Sequence, residues 1–441
     1  MAQHTKIGQK FQMKKHSTLI LKSIILAVIT YLFLIRYQYF ITHLDITDTV
    51  DVWQSKVHKG LPDSSTYFAL PRVEDMRNLD IAESKKKFDT MRDKINKYKD
   101  WNVENKGRGI ITVGHKFAIF ELTSLVIHIR KYSKLPIEIF HWTDFDPKYI
   151  AHLMEFENIV MKDLTNSFLN GELPKDSRHH FTKPLAMMMT SFEEVLYIDS
   201  DAFPMFHTTP NIFDMSFDLL KRNDIVLFRD YWMNHPDNPI YKILEFDYMW
   251  QRQVDSGIVI YRKSKSLKLL AFAYYICMEG EFQKLTAGDK DAFWMGLMAL
   301  KFYNMPAPIL LINTDTMGYI GDSCQHGMFH HLNGQLGFAH FNGLKSLTVI
   351  NQNNQDSRNE KIFCTRDTFE GLVPNDFYSK IKVGYSAKHD LKDDYSQRYS
   401  FDNCLQPISE FGVYEKKVDS GPIFESMAKA FEMLKKKFCL Q

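Results

Sequence analysis

The segment Val195-Leu196-Tyr197-Ile198-Asp199-Ser200-Asp201 runs four apolar residues into two carboxylates separated by one serine. A short apolar run of this kind reads as a buried strand, so both acids leave its carboxyl end, where open α/β sheets bind ligands. Two carboxylates so close repel each other unless a cation neutralises them. A hard divalent ion, Mn²⁺ or Mg²⁺, does this with oxygen ligands and bridges to a diphosphate. It then stabilises the charge that develops on a departing nucleoside diphosphate. The structural alternative is an acidic turn after a strand.

Other residues could share that chemistry. Gln253-Val254-Asp255-Ser256-Gly257 precedes an apolar run and puts an acid and a flexible glycine at a loop mouth. Gly288-Asp289-Lys290-Asp291 opens a helix over Ala292 to Leu300, where the acids either cap the helix or face sugar hydroxyls. Gly337-Phe338-Ala339-His340-Phe341-Asn342-Gly343 ends a short apolar run in a histidine able to complete a metal's ligand set, with His330-His331 as the competing pair. Lys345, just beyond, could meet a phosphate. Lys183 could do the same, although it also reads as a solvated helix-start lysine beside Pro184. Arg229-Asp230-Tyr231-Trp232, after the strand Ile225 to Phe228, reads either as a contact to donor or acceptor or as a segment of buried structural aromatics. The candidate set is therefore Asp199, Asp201 and His340 as metal ligands; Asp199, Asp201, Lys183, Lys345 and Arg229 as donor-binding residues; and Asp255, Asp289 and Asp291 as catalytic acids.

These residues need a scaffold. Gly107-Arg108-Gly109 punctuates the chain, and Ile110 to Val113 reads as a strand followed by a helix from Phe117 to Tyr132. A strand at Ile137 to Phe140, a helix from Lys183 to Glu194, and strands at Val195 to Ile198, Ile225 to Phe228 and Gly257 to Tyr261 continue the alternation. Strands alternating with helices predict an α/β fold, a mostly parallel sheet with helices on both faces. Ser426 to Lys437 reads as an amphipathic helix with a lysine face.

Upstream the chain changes character. Lys6, Lys10, Lys14 and Lys15 precede an apolar run from Ser23 to Ile35, extended upstream by Leu19 to Leu21 and followed by Tyr37, Tyr39 and Phe40. With Lys22 snorkelling, this gives about 20 residues, enough to span a thin bilayer as a type II anchor rather than a cleaved signal. The expected organisation is a cytosolic tail at 1–16, a signal-anchor at 17–41, a stem at 42–106 and a catalytic domain at 107–441. Val73 to Lys99, with its approximately helical spacing of apolar residues among charges, belongs to the stem or to a helix of the folded domain.

Composition excludes some classes. A net charge of +2 gives no reason to expect nucleic acid as a partner, and five scattered cysteines make neither a zinc site nor a disulfide scaffold. The haloacid-dehalogenase-like phosphatases also place Asp-x-Asp after a hydrophobic strand, with the first Asp as nucleophile. They carry it on their first strand with Thr or Val two residues past the second Asp. Here Phe203 holds that position and two βα units come first.

The ordered segments GRGIITVG, LPIEIFH, KPLAMMMTSFEEVLYIDSDAFP, LFRDYW, VDSGIVIYRK and GDKDAFWMG, from Arg108 to Lys345, resemble the fungal α-mannosyltransferases of glycosyltransferase family 71. The order Asp-x-Asp, Ser-Gly, Gly-Asp-x-Asp, His-Phe-x-Gly is more distantly similar to the glycogenin-like enzymes, which share the GT-A fold. That resemblance implies that Asp199, Asp201 and His340 hold Mn²⁺. Lys345 departs from it, lying five residues after the histidine where the glycogenin-like pattern has six. The mannosyltransferase resemblance implies GDP-mannose as donor, a mannose-containing glycan as acceptor, and an α-linked product with retention. It also implies a place in the Golgi membrane, the catalytic domain lumenal and in company with other Golgi glycosyltransferases. The run Asp230 to Trp232, His235-Pro236 and Pro239 to Tyr241 looks more like the α-1,2 than the α-1,3 members. No residue stands out as a dedicated nucleophile, which favours attack from the leaving-group face.

Overall fold

The computed structural model describes residues 79–97, 105–341, 381–385, 415–417 and 421–439, with breaks at 116–117, 143–144, 166, 168–179, 234–237, 248–251, 284, 287, 306–308, 313–315, 321–322 and 334. The expected anchor, most of the expected stem and Lys345 lie outside them. Among the described residues no helix is long and apolar enough to cross a membrane.

The main sheet is built from strands β1 (Arg108–Gly114), β2 (Ile137–His141), β3 (Ile159–Asp163), β4 (Glu194–Ile198), β6 (Ile225–Met233), β7 (Arg252–Arg262) and β8 (Ile309–Ile312), with the three-residue β5 (Ala202–Pro204) set apart from it. Its order is β3-β2-β1-β4-β7-β6-β8. Only β7 runs against its neighbours; the pairs β1/β2, β1/β4, β2/β3 and β6/β8 are parallel. The sheet is thus mixed but mostly parallel, as the alternation implies.

Both faces are covered, so the strands are near-continuous apolar runs. Ile110, Ile139, Leu196, Ile198, Val226, Ile258 and Ile260 join one core with helix α2 (Ile119–Arg130). The other face meets α4 (Thr182–Met189); there the Tyr261 hydroxyl donates to the Met187 carbonyl at 2.7 Å.

Helix α4 stops earlier than the expected Lys183 to Glu194. The cause is distant in sequence: the buried Glu138 carboxylate of β2 accepts from the Thr190 hydroxyl (2.7 Å) and from the Ser191 hydroxyl (2.5 Å) and amide (3.1 Å). Those bonds reward an extended turn at Thr190, whose ψ is 149°.

Two helices bracket the domain. The first, α1 (Ile81–Lys97), buries Ser84, Phe88, Met91 and Ile95 on one stripe. Phe88 meets Phe282 at 4.6 Å, and Lys87 pairs with Glu279 and Glu281, so this part of the expected stem is seated on the domain. The last, α10 (Gly421–Phe438), begins five residues before the expected start and lays Ile423, Phe424, Met427, Ala430, Phe431 and Leu434 into the α2 side of the core. Cys277 is buried and free, whereas Cys439, just past α10, is disulfide-bonded.

A second sheet is antiparallel: β13 (Glu415–Lys417), β12 (Ile381–Tyr385), β9 (Thr316–Ile320), β10 (Ser323–Leu332), β11 (Gln335–His340) and β5, in that order. Its last strand, β5, directly follows Asp201 and so joins the two sheets at the acidic turn.

Candidate functional site

The acidic turn is held from two sides. The Asp199 amide donates to the Gly257 carbonyl of β7 (2.8 Å), and the Ala202 amide donates back to the Asp199 carbonyl (2.9 Å). Then β5 pairs with β11, placing Ala202 opposite His340, and the Phe341 amide closes on the Asp201 carbonyl at 2.9 Å. An imidazole 139 residues downstream is thereby delivered to the carboxylates. His340 Nε2 lies 3.5 Å from Asp201 Oδ1, and one ligand atom each from Asp199, Asp201 and His340 falls within 4.8 Å of the others. Asp201 is fully buried, while Asp199 keeps 17 % of its side chain exposed, so Asp199 marks the mouth of the site.

Behind the imidazole stands Asp255. It is buried, and its carboxylate meets His340 Nδ1 at 2.9 and 3.0 Å, His330 Nε2 at 2.6 Å and the Gly257 amide at 2.8 Å. Burial alone would raise the Asp255 pKa; the two imidazoles outweigh it and hold it well below the carboxylate range. Burial would conversely lower that of His340, but Asp255 and then Asp201 lift it to about 10. A metal ligand must give up that proton, so a cation would enter in its place.

The sequence suggests a flexible glycine at a loop mouth, but Asp255 to Gly257 lie inside β7. Gly257 serves by lacking a side chain: a Cβ there would stand 2.3 Å from His340 Cε1 and 2.5 Å from Nδ1. His330, the rival ligand, backs Asp255 instead, its ring 4.6 Å from that of Phe228.

Lys183 is not a solvated helix-start residue. It is buried, and its ammonium lies 2.9 Å from Asp199 Oδ2, 2.5 Å from Asp289 Oδ2, 3.0 Å from Ser256 Oγ and 3.2 Å from the Ser256 carbonyl. Burial opposes its charge, yet Asp199 and Asp289 hold the ammonium protonated above its ordinary range. The Tyr197 hydroxyl donates to the other Asp199 oxygen, and its own pKa is pushed well above the phenol range, by burial first and then by Asp199.

Helix α9 (Asp289–Phe302) presents the Gly288-Asp289-Lys290-Asp291 motif in its first turn. Asp289 turns toward Lys183, and Lys290 toward the buried Asp230 at 2.7 Å. Asp291 is 1 % exposed and lies inside the domain. Arg229 is half-buried on β6 opposite Val254, the residue before Asp255. For Tyr197, Ser256, Lys290 and Asp230, adjacency to the motifs is the local signal that the sequence carries.

Asp199, Asp201, Asp255 and Asp289 lie within a region shared with known proteins, and His340 lies just past its end. A family described as "Mannosyltransferase putative" matches residues 107–249 and 244–333, just over half of the chain. The α-1,2-mannosyltransferase MNN2 of Candida albicans is 33% identical over 159 residues, 33% of this chain and 24% of that protein. The α-1,3-mannosyltransferase MNT3 of Saccharomyces cerevisiae is 23% identical over 252 residues, 46% of this chain and 39% of that protein. The aligned parts therefore span well under half of either relative. Among solved structures, the glycosyltransferase GlyE of Streptococcus pneumoniae TIGR4 matches 47% of this chain and 45% of its own at 14% identity and a TM-score of 0.32. The galactosyltransferase LgtC, solved with donor and acceptor sugar analogs, matches 47% of this chain and 74% of its own at 12% identity and a TM-score of 0.32. By the extent of the family match, the chain belongs to this mannosyltransferase family.

Proposed function

We propose that this chain is a metal-dependent, retaining glycosyltransferase of the GT-A type that moves mannose from GDP-mannose to a mannose-containing glycan. The observation that carries the reading is the convergence of Asp199, Asp201 and His340 within 4.8 Å at the carboxyl end of β4. Family membership supports mannose as the transferred sugar. Two carboxylates and one imidazole form a mixed oxygen–nitrogen set, which suits Mn²⁺ better than the more strictly oxygen-seeking Mg²⁺. When bound, such an ion would neutralise the donor's diphosphate and stabilise the charge left on departing GDP.

The chain's own residues do the rest. Asp201 and His340, buried, fix the inner wall, and Asp199 reaches the mouth. Lys183 ties Asp199 to Asp289, so Asp289, with 21 % of its side chain exposed, is set to accept from a sugar hydroxyl. Asp255, Asp230 and Asp291 are poorly placed to attack the sugar from its far face, and Asp289 is held by Lys183. Both Asp255 oxygens are taken up in hydrogen bonds, Asp230 is buried against Lys290, and Asp291 is buried in the first turn of α9. This favours front-face transfer. The bond from the anomeric carbon to the phosphate oxygen breaks, the acceptor oxygen bonds from the same side, and its proton passes to the departing oxygen.

The linkage is α-1,2 or α-1,3, with the Asp230 to Tyr241 run and the name of the Candida relative leaning to α-1,2. We place the protein in the Golgi membrane with the domain lumenal; the apolar run at 23–35 behind a basic flank and the disulfide-bonded Cys439 are in keeping with that. A panel of sugar nucleotides offered to the purified full chain with a mannoside acceptor and Mn²⁺, followed by linkage analysis, tests the reading. GDP-mannose should be consumed and an α-mannoside formed. Consumption of another nucleotide sugar with GDP-mannose ignored would overturn the donor.

A further inference from the structure

We infer that Asp255 and Gly257 are positioning residues for His340: together they aim its Nε2 into the metal site, and neither contacts the sugar. The inference rests on the metal reading above and goes beyond it by giving Asp255-Ser256-Gly257 a role other than catalysis.

The geometry supports it at three points. First, His340 offers two nitrogens, and only Nε2 faces Asp201, at 3.5 Å. With Asp255 accepting at Nδ1 (2.9 Å), the Nδ1 proton is the one retained, so a cation entering beside Asp201 would displace the Nε2 proton and meet the Nε2 lone pair. Second, Asp255 cannot swing to the mouth. Oδ1 accepts from the Gly257 amide, Oδ2 accepts from His330 Nε2 at 2.6 Å, and the side chain is buried. Third, the imidazole rests where a Cβ of residue 257 would be, with Cε1 at 2.3 Å, Nδ1 at 2.5 Å and Nε2 at 3.0 Å from that point. One strand, β7, thus supplies the hydrogen-bond acceptor and, two residues on, the space for the ring. The two residues sit where β7 slips register against β6, Leu227 facing Val259 and Phe228 facing Asp255, and the bond from the Gly257 amide to Asp255 Oδ1 ties them together.

The test is Mn²⁺ affinity, measured without donor by the electron paramagnetic resonance of free Mn²⁺. The full-length chain is compared with Asp255→Asn, Gly257→Ala, His340→Ala and Asp255→Asn/His340→Ala. Asparagine keeps the shape of Asp255 but can accept with only one atom, leaving its NH₂ facing an imidazole. Asp255→Asn should raise the Mn²⁺ Kd about 10- to 100-fold, the usual cost of losing a carboxylate behind a ligating histidine. Gly257→Ala should do the same with every charge in place, which keeps the test open if Asp255→Asn fails to fold. In the His340→Ala background, Asp255→Asn should add less than about threefold, because a residue acting through His340 has nothing left to position.

Two results overturn the inference while leaving the metal site standing. In one, Asp255→Asn and Gly257→Ala bind Mn²⁺ like the parent while His340→Ala does not. In the other, the Asp255→Asn loss persists in full in the His340→Ala background. If His340→Ala binds Mn²⁺ as the parent does, the metal reading itself falls, and the positioning role with it.

Discussion

Replacing Lys183 by methionine keeps most of the side-chain volume and removes only the ammonium that stands between Asp199 and Asp289. With contacts of 2.9 and 2.5 Å, each pair has a gross attraction of about 6 kcal/mol at an effective dielectric of about 20. Most of that offsets the cost of taking the charges out of water. Breaking a fully buried pair costs about 3–5 kcal/mol, because the partner is left uncompensated. Here the two carboxylates keep 17 % and 21 % of their side chains in water, which absorbs part of the penalty, so Lys183→Met should cost about 3 kcal/mol. The raised lysine pKa means its contribution is complete below about pH 10 and is lost only as pH rises through a still higher value, so neutral buffer is adequate for the comparison. Urea unfolding with and without Mn²⁺ is the assay. At about 100-fold excess over Kd the ion stabilises the parent by about 2.7 kcal/mol. The variant should gain at least about 1 kcal/mol more, since the ion also supplies the missing positive charge beside Asp199. Equal stability without metal, or a smaller gain with it, would refute the idea that Lys183 holds these acids together.

Other expectations concern the scaffold. Gly109→Ala should destabilise by about 1–3 kcal/mol in urea unfolding, because its Cβ would stand 2.3 Å from the Phe192 ring. Phe431→Ala should cost about 3–5 kcal/mol by emptying a fully buried site where α10 meets the core. His128 and His152 are buried, and burial, the main cause, lowers each pKa to about 4. Their folded values lie below the unfolded one, so the stability they contribute is complete above about pH 6.5 and is lost as pH falls toward 4. At about pH 5 each costs about 2 kcal/mol, and thermal unfolding across that range should show His128→Phe flattening the acid slope.

Much of this architecture was legible in the sequence, because its signals are local. The βα alternation and the apolar run into Asp199 both depend on neighbours within ten residues, and His340 was identifiable as the end of another such run. The reversal of β7 was not legible, since a strand buried on both faces has the same apolar pattern in either direction. That reversal places Gly257 beside Asp199, whereas the Asp255 motif reads as a loop mouth in the sequence because its acid and glycine precede the apolar run. Lys183 looked solvated because its partners come from positions 199, 256 and 289. The early end of α4 depends on Glu138, more than 40 residues upstream, which no helical periodicity reports.

The central claim is that Asp199, Asp201 and His340 hold a divalent ion for GDP-mannose turnover. The most direct measurement is GDP release from GDP-mannose by the purified full chain with a mannoside acceptor, with Mn²⁺, with EDTA, and with Asp201→Asn in Mn²⁺. The account predicts release only with Mn²⁺ and the parent chain, with Asp201→Asn down by more than about 100-fold, beyond what loss of a supporting residue costs, while it still unfolds cooperatively. Equal release in EDTA, or full activity in Asp201→Asn, would contradict it.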